Sequence, residues 1–322
     1  MKNNIEILAM SLIKGMGPKS ITEIVKFMQK NNFKSVLDID SDLLLSNVAS
    51  RYSSIIVNEL KSNHFMEYLD HAENQLESLS HNNIDFITFT DTRYPAILKL
   101  ADNHPVFLYC KGNINLLSQW NNVAVVGTRE NTELGEKITR KSVDFLCSHD
   151  YTIVSGLALG IDCIAHHQAL ENNGKTIAVL VDVKNIQPAS NRDLANNILD
   201  KDGLWIAENA PGTRIVPGQF VSRDRIQSGL SAAVFAIETS IDGGTMHAVR
   251  NCLKENRLLF CPDLERLAYP ECKQIEGIKE LLVQQKAIPY SKDSYNEVAV
   301  RIEQMISQLQ EPQKQEQSSL FD

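Results

Sequence analysis

The fold class the sequence predicts is α/β: an extended, mostly parallel sheet behind a small all-helical N-terminal domain. Three observations carry this expectation. Up to about residue 80, apolar side chains recur at helical spacing. From residue 84 onward, short apolar, β-rich runs alternate with helical stretches. That is the pattern of a parallel sheet covered on both faces. The 322 residues, 43% hydrophobic and 22% charged, are enough for more than one buried core.

Taken in order, Ile5, Leu8, Leu12 and Ile13 share one face of a first helix. Gly15-Met16-Gly17-Pro18 interrupts it. Pro18 suits the first turn of a second helix that buries Ile21, Ile24, Val25 and Met28. Two short helices joined by glycines read either as a helix-hairpin-helix (or SAM-like) unit or as a plain turn in a small bundle. A lone GxG does not establish phosphate binding. Strands are expected at 84–90, 106–109, 123–127, 152–155, 176–181, 204–207, 233–237 and 258–261. The organisation that follows is a helical domain at 1–80, a Rossmann-like domain at 81–305 and a disordered tail at 306–322. The tail crowds Gln308, Gln310, Gln313, Gln315 and Gln317 around Pro312 with little apolar content.

Composition excludes several classes. No apolar run approaches the ~20 residues of a membrane span. The N-terminus carries Glu6 within a short amphipathic stretch, unlike a secretory signal, so a cytoplasmic location is expected. A net charge of −8 argues against a protein that coats nucleic acid with its whole surface, but leaves room for a local basic pocket. The six cysteines form no CxxC pair and read as reduced core thiols. Clustered metal ligands are missing from the sequence, so neither a metal nor a cofactor is expected.

Sheets of this kind bind ligands outside the carboxyl ends of their strands, so the residues that follow strands carry the candidates. Gly127-Thr128-Arg129 follows one strand. Glycine lets backbone approach a ligand, the next helix offers free N–H groups, and Arg129 supplies a planar fork for phosphate oxygens. The plain alternative is a tight turn with a surface arginine. Ser155-Gly156 follows another strand and fits a phosphate nest, with Asp162 as a helix cap or ligand contact. His166 and His167 lack a third metal ligand and read as packing or polar contacts. Asn191 and Arg192 follow a third strand. Arg223 and Arg225 bracket Asp224 in what reads as an extended segment, where alternate residues face opposite sides. One arginine then faces the ligand and the other makes a structural pair. Gly243-Gly244-Thr245, after Glu238, is a further anion cradle.

The ordered set GTR, SGLALGID..AHHQAL, P..N..L, F..R.R.I..L and a strand followed by GGT closely resembles the DNA-processing protein A (Smf) family. Tyr94-Pro95 with Leu98, and Pro105 with Leu108-Tyr109 and Lys111-Gly112, fit its upstream signatures. The resemblance covers roughly residues 90 to 263 and, less closely, extends to about 300. It implies an extended Rossmann-like fold, no enzymatic activity and no cofactor. It implies binding of single-stranded DNA, a homodimer, and delivery of RecA recombinase in recombination or natural transformation. By position it puts Arg129, Ser155, Gly156, Asn191 and Arg223 on pocket-lining motifs, with Arg192 and Lys175 adding charge. Asp224 departs from the family's arginine-asparagine-arginine motif, and a carboxylate there repels phosphate unless an arginine neutralises it.

Two other readings stand beside this one. The first is a nucleotide-ligand sensor, in phage defence, or a phosphoribohydrolase. Gly243-Gly244-Thr245 is similar to a GGxGTxxE loop, although Ala248 stands where its glutamate belongs. The second is a purely structural adaptor. Finally, Gln317, Leu320 and Phe321 resemble the short peptides that dock bacterial repair proteins onto the sliding clamp. The alternative for them is an unspecific polar terminus.

Overall fold

The computed structural model describes residues 2–47 and 53–318. It divides into two compact units, Met1–Asp91 with Pro105–Leu108, and Thr92–His104 with Tyr109–Asp322. The first contains α1 (Lys2–Leu12), α2 (Pro18–Lys30), α3 (Ser41–Asn47), α4 (Ser53–Lys61), α5 (His64–His81) and β1 (Asp85–Thr88). Ile21, Ile24, Val25 and Met28 of α2 are buried as their spacing requires, whereas of the face expected on the first helix Leu8 and Ile13 are buried and Ile5 and Leu12 only half-buried, with Ile7 and Met10 of α1 in the core instead. Pro18 opens α2, where its missing N–H costs nothing. The helical domain expected at 1–80 also takes in β1. Phe86 and Ile87 are buried as β1 packs on α1 and α5, and Thr88 Oγ1 donates to Asn4 Oδ1 at 2.9 Å.

The remaining elements are α6 (Ala96–Lys99), β2 (Phe107–Gly112), β3 (Asn122–Val126), α7 (Glu133–Ser148), β4 (Thr152–Ser155) and α8 (Ile161–Glu171). They continue with β5 (Thr176–Leu180), α9 (Arg192–Asp200), β6 (Leu204–Ala207), α10 (Pro217–Gly229), β7 (Ala233–Ala236) and α11 (Thr245–Lys254). Last come β8 (Leu258–Pro262), α12 (Glu276–Val283), β9 (Ile288–Tyr290) and α13 (Tyr295–Ser318). Among the described residues of the second unit, the strands lie in the order β2-β6-β5-β4-β3-β7-β8-β9. From β6 to β9 neighbours run parallel, and β2 is antiparallel to β6. Every residue of β3 to β7 is buried. Each Val, Leu, Ile or Phe side chain there contributes about 1.5–3 kcal/mol of burial, and these strands read as continuous apolar runs because both faces of the sheet are covered. This is the extended Rossmann-like α/β fold.

Two expectations are corrected. The segment carrying Arg223 and Arg225 is not extended: it lies inside α10. Pro217 starts that helix, and Ile226 and Leu230 bury its inner face. Its mixed polar sequence hides the helical period. The expected disordered tail is helical as far as Ser318, because α13 continues through it. Val298, Ile302 and Ile306 anchor the helix, and the following Gln, Glu and Lys residues are good helix formers despite their polarity. Gln317 falls in its last turn, whereas Leu320 and Phe321 lie outside the described residues. No helix among the described residues is long and apolar enough to cross a membrane.

Candidate functional site

Strand order reverses at β3. The chain runs outward from β3 through β4, β5 and β6, then returns to place β7 on the other side of β3. Connections on the two sides of β3 therefore leave in opposite directions, and a crevice opens beyond its carboxyl end. The turns after β3, β4 and β7 converge there with α10 and α11 on a cleft of about 410 Å³.

The turn after β4 is built inward. Ser155 is fully buried and its hydroxyl donates to the Val125 carbonyl at 2.7 Å, so it ties β4 to β3 rather than facing the cleft. The Gly156 N–H donates to Asp162 Oδ2 at 3.1 Å and is likewise committed. The role of Gly156 is steric: a Cβ there would overlap the Arg223 guanidinium. Leu157 is left-handed at φ 59°, an unfavourable conformation for a branched residue, and the Leu157 carbonyl is held by Asn191 Nδ2 at 2.9 Å. Asn191 is thus a brace, 8% exposed. Gly160 has φ 74°, and any side chain would strike the backbone of Thr128 and Arg129. Arg192 is exposed at the start of α9 and does not line the cleft. Nor does Lys175, the other residue expected to add charge.

Arg223 comes from α10 and is 6% exposed. Its Nε and Nη1 are buried without hydrogen-bond partners, and Nε lies 3.5 Å from Asp224 Oδ1. Asp162 is also buried here. Burial pushes its carboxyl above the usual range, against the opposing pull of Arg223 and the nearby backbone amides. Arg225 points away: its Nη2 meets Glu208 Oε1 at 2.6 Å and its Nε donates to the Asn103 carbonyl. One arginine faces the cleft and the other makes a structural pair, through helical geometry rather than strand alternation.

The turn after β3 is built outward. Gly127 is needed because Ile161 of α8 packs where its side chain would be. Thr128 is pinned by its N–H to the Glu238 carbonyl at 2.8 Å, and its own carbonyl accepts from Ile161. Arg129 is exposed and makes no hydrogen bond or ion pair among the described residues. The Glu238 carboxylate, fully buried, accepts from the Thr132 N–H at 3.0 Å, the Thr132 hydroxyl at 2.6 Å and the Tyr269 hydroxyl. It fixes the start of α7 and does not line the cleft.

After β7, Gly243 is required because a Cβ would overlap Thr239 Oγ1, while Gly244 faces open space. The Gly244 and Thr245 N–H groups at the start of α11 have no acceptor among the described residues. They face the cleft with the helix dipole behind them, an arrangement that favours an anion. Gly127, Thr128, Arg129, Arg223, Gly243, Gly244 and Thr245 are thus brought together, whereas Ser155, Gly156 and Asn191 stand behind as scaffold. Sequence reasoning missed Phe220 and Val221, which line this cleft and an adjoining hollow of about 430 Å³. The apolar pair before Arg223 is a usable signal once α10 is known to be a helix. His166 is buried, its Nδ1 lies 2.7 Å from Thr176 Oγ1, and burial pushes its pKa down to about 3. It is a neutral packing residue.

The family model described as DNA recombination-mediator protein A matches residues 85–299. The chain belongs to this family. Protein Smf of Synechocystis is 35% identical over 228 residues, 66% of this chain and 57% of that protein. The chain spans little more than half the length of such curated relatives, 57% and 60% for two of them. The solved structure of DNA processing protein A from Streptococcus pneumoniae superposes with a TM-score of 0.74 at 26% identity, covering 91% of this chain and 96% of that one. DNA processing protein A from Helicobacter pylori, whose structure is described for its single-stranded DNA binding mode, gives 0.57 at 26% identity, covering 71% and 97%.

Proposed function

We propose that this family member binds single-stranded DNA by its phosphates in the cleft beyond β3, β4 and β7, and acts by binding rather than by turnover. The observation that carries this is Arg223. A guanidinium that is 6% exposed, with two nitrogens lacking acceptors, faces the same cleft as the open N-terminus of α11. A phosphate diester supplies the missing acceptors, and Arg129 at the mouth adds a second charge. Phe220, beside the arginines, offers an apolar face to a nucleobase, and such stacking tolerates any sequence. The commitment of the Glu238 carboxylate to Thr132 and Tyr269 removes the acid that precedes the Gly243-Gly244-Thr245 loop as the catalytic group of a phosphoribohydrolase. The test is fluorescence anisotropy of labelled oligonucleotides across a salt series. Binding should fall as salt rises, because captured phosphates release counterions, and should show little sequence preference. Tight salt-insensitive binding, or nucleoside monophosphates outcompeting oligonucleotides, would point to a small-ligand sensor instead.

The family resemblance extends the proposal to RecA and to a homodimer, and the likeness of the tail to clamp-docking peptides extends it to the sliding clamp. The bound strand is handed to RecA recombinase, the chain acts as a homodimer, and Gln317, Leu320 and Phe321 dock on the sliding clamp. Calorimetry with the clamp, comparing the intact chain with Leu320→Ala plus Phe321→Ala, tests the last point. Equal heats from both would remove it.

A further inference from the structure

The cleft holds a feature that works against an anion. Its lining carries two guanidiniums, Arg129 and Arg223, and three carboxylates, Glu130, Asp162 and Asp224. Of these, Asp224 is the one in an ion pair with Arg223. Its carboxylate lies 3.5 Å from Arg223 Nε and accepts from Gln227 Nε2 at 3.0 Å. Gln227 is 2% exposed and its Oε1 has no donor. The half-buried Asp224 carboxylate and the buried Gln227 amide oxygen are two acceptors served by one amide N–H, a site that is one hydrogen short. A proton on Asp224 supplies that hydrogen, since a carboxylic acid O–H can donate to the amide oxygen once the amide rotates.

We infer that Asp224 sets the affinity of the cleft: as a carboxylate it takes the charge of Arg223 that a phosphodiester needs, and as a carboxylic acid, bonded to Gln227, it releases it. The inference rests on the reading of the cleft as a phosphodiester site. The groups that face Asp224 are Arg223 on its own helix, Asp162 of α8 and Arg129 of the turn after β3; Glu130 of that turn and His247 of α11 line the same cleft. Burial pushes the Asp224 carboxyl up to about 6; Arg223 pulls it down, Asp162 pushes it up, and Gln227 and Arg129 pull it down. Its charge therefore changes in the range where cells and assays operate.

The experiment is anisotropy of a labelled oligothymidylate at constant ionic strength, with the wild-type chain, Asp224→Asn and Asp224→Ala, at about pH 5.5 and about pH 8. Wild-type binding should tighten about fivefold or more on acidification, the effect of removing one like charge near the phosphate. Asp224→Asn, which keeps the shape and supplies an amide N–H for Gln227, should bind at the higher pH as tightly as the acidified wild type. Asp224→Ala should follow it. Both should lose most of the wild type's dependence on pH. A flat wild-type profile, or variants that parallel the wild type at equal affinity, would overturn the inference while leaving DNA binding intact. Folded wild-type and variant chains that bind no oligonucleotide at either pH would overturn the phosphodiester reading itself, and this inference with it.

Discussion

Two strand-to-helix turns, 127–132 after β3 and 156–160 after β4, begin alike in sequence, each a buried strand running into glycine beside a hydroxyl residue. The first turns its charged residue outward: Arg129 is exposed at the cleft mouth and makes no hydrogen bond or ion pair among the described residues. The second turns inward. Ser155, the Gly156 N–H and the Leu157 carbonyl are all bonded within the protein, and the missing Cβ of Gly156 makes room for an arginine that arrives from α10. Both glycines make room for another side chain of the same chain, Ile161 at Gly127 and Arg223 at Gly156; the turns differ in whether the residues that follow face the cleft or bond within the protein. Only the neighbours decide which.

The comparison is sharpest at Gly156. Gly156→Ala should displace the Arg223 guanidinium, with an overpacking cost of about 1–3 kcal/mol or more. Denaturant unfolding should show that loss, and oligonucleotide affinity should fall more than tenfold, about 1.4 kcal/mol. Normal binding by this variant would mean that Arg223 is not the central contact. Arg129→Ala is the counterpart in the outward turn. Stability should be unchanged, while affinity drops roughly tenfold for a lost charge-assisted bond. The slope of log affinity against log salt should shrink by about 0.7, the value for one phosphate on a single strand. Lysine should restore the slope but not the full affinity, because it lacks the planar fork.

A smaller effect concerns stability and pH. The folded-state pKa of Asp224 is raised from 3.8 to about 6, so the folded chain binds more protons than the unfolded one between those values. Stability should therefore fall as pH rises through that window, and Asp224→Asn should flatten the fall. Chemical denaturation at several pH values measures it; an unchanged slope in the variant would assign the effect to Asp162, which is raised for the same reason. The smallest effect on binding belongs to Ser155. Ser155→Ala should cost about 1 kcal/mol of stability by orphaning the Val125 carbonyl, with affinity untouched. A loss of affinity at equal stability would put Ser155 back in the cleft.

Much of the fold is legible in the amino-acid sequence. The strands at 152–155 and 204–207 can be read to the residue, because fully buried parallel strands are unbroken apolar runs bounded by turns. The helix holding Arg223 is not legible. Its first turns, Pro217 to Arg225, present glycine, glutamine, serine and alternating charge, and the residues that face the core, Ile226 and Leu230, come only at its end. The helix over the glutamine-rich tail escapes notice for a related reason. Low apolar content marks the lack of a buried face, which is not the same as the lack of a helix.

The sequence by itself determined the α/β architecture, the family and the set of motifs that meet beyond the strands, because these follow from local periodicity and from residue types whose backbone and charge properties travel with them. The tertiary structure decided which motif residues face the cleft and which hold those residues in place. Arg129, Arg223 and the N-terminus of α11 face the cleft, while Ser155, Asn191 and Glu238 spend their polar groups on backbone and neighbours. That division depends on where buried donors and acceptors find partners across 30 to more than 100 residues of chain, as the bonds of Ser155 to Val125 and of Glu238 to Thr132 do. Such long-range satisfaction leaves no periodic trace along the chain.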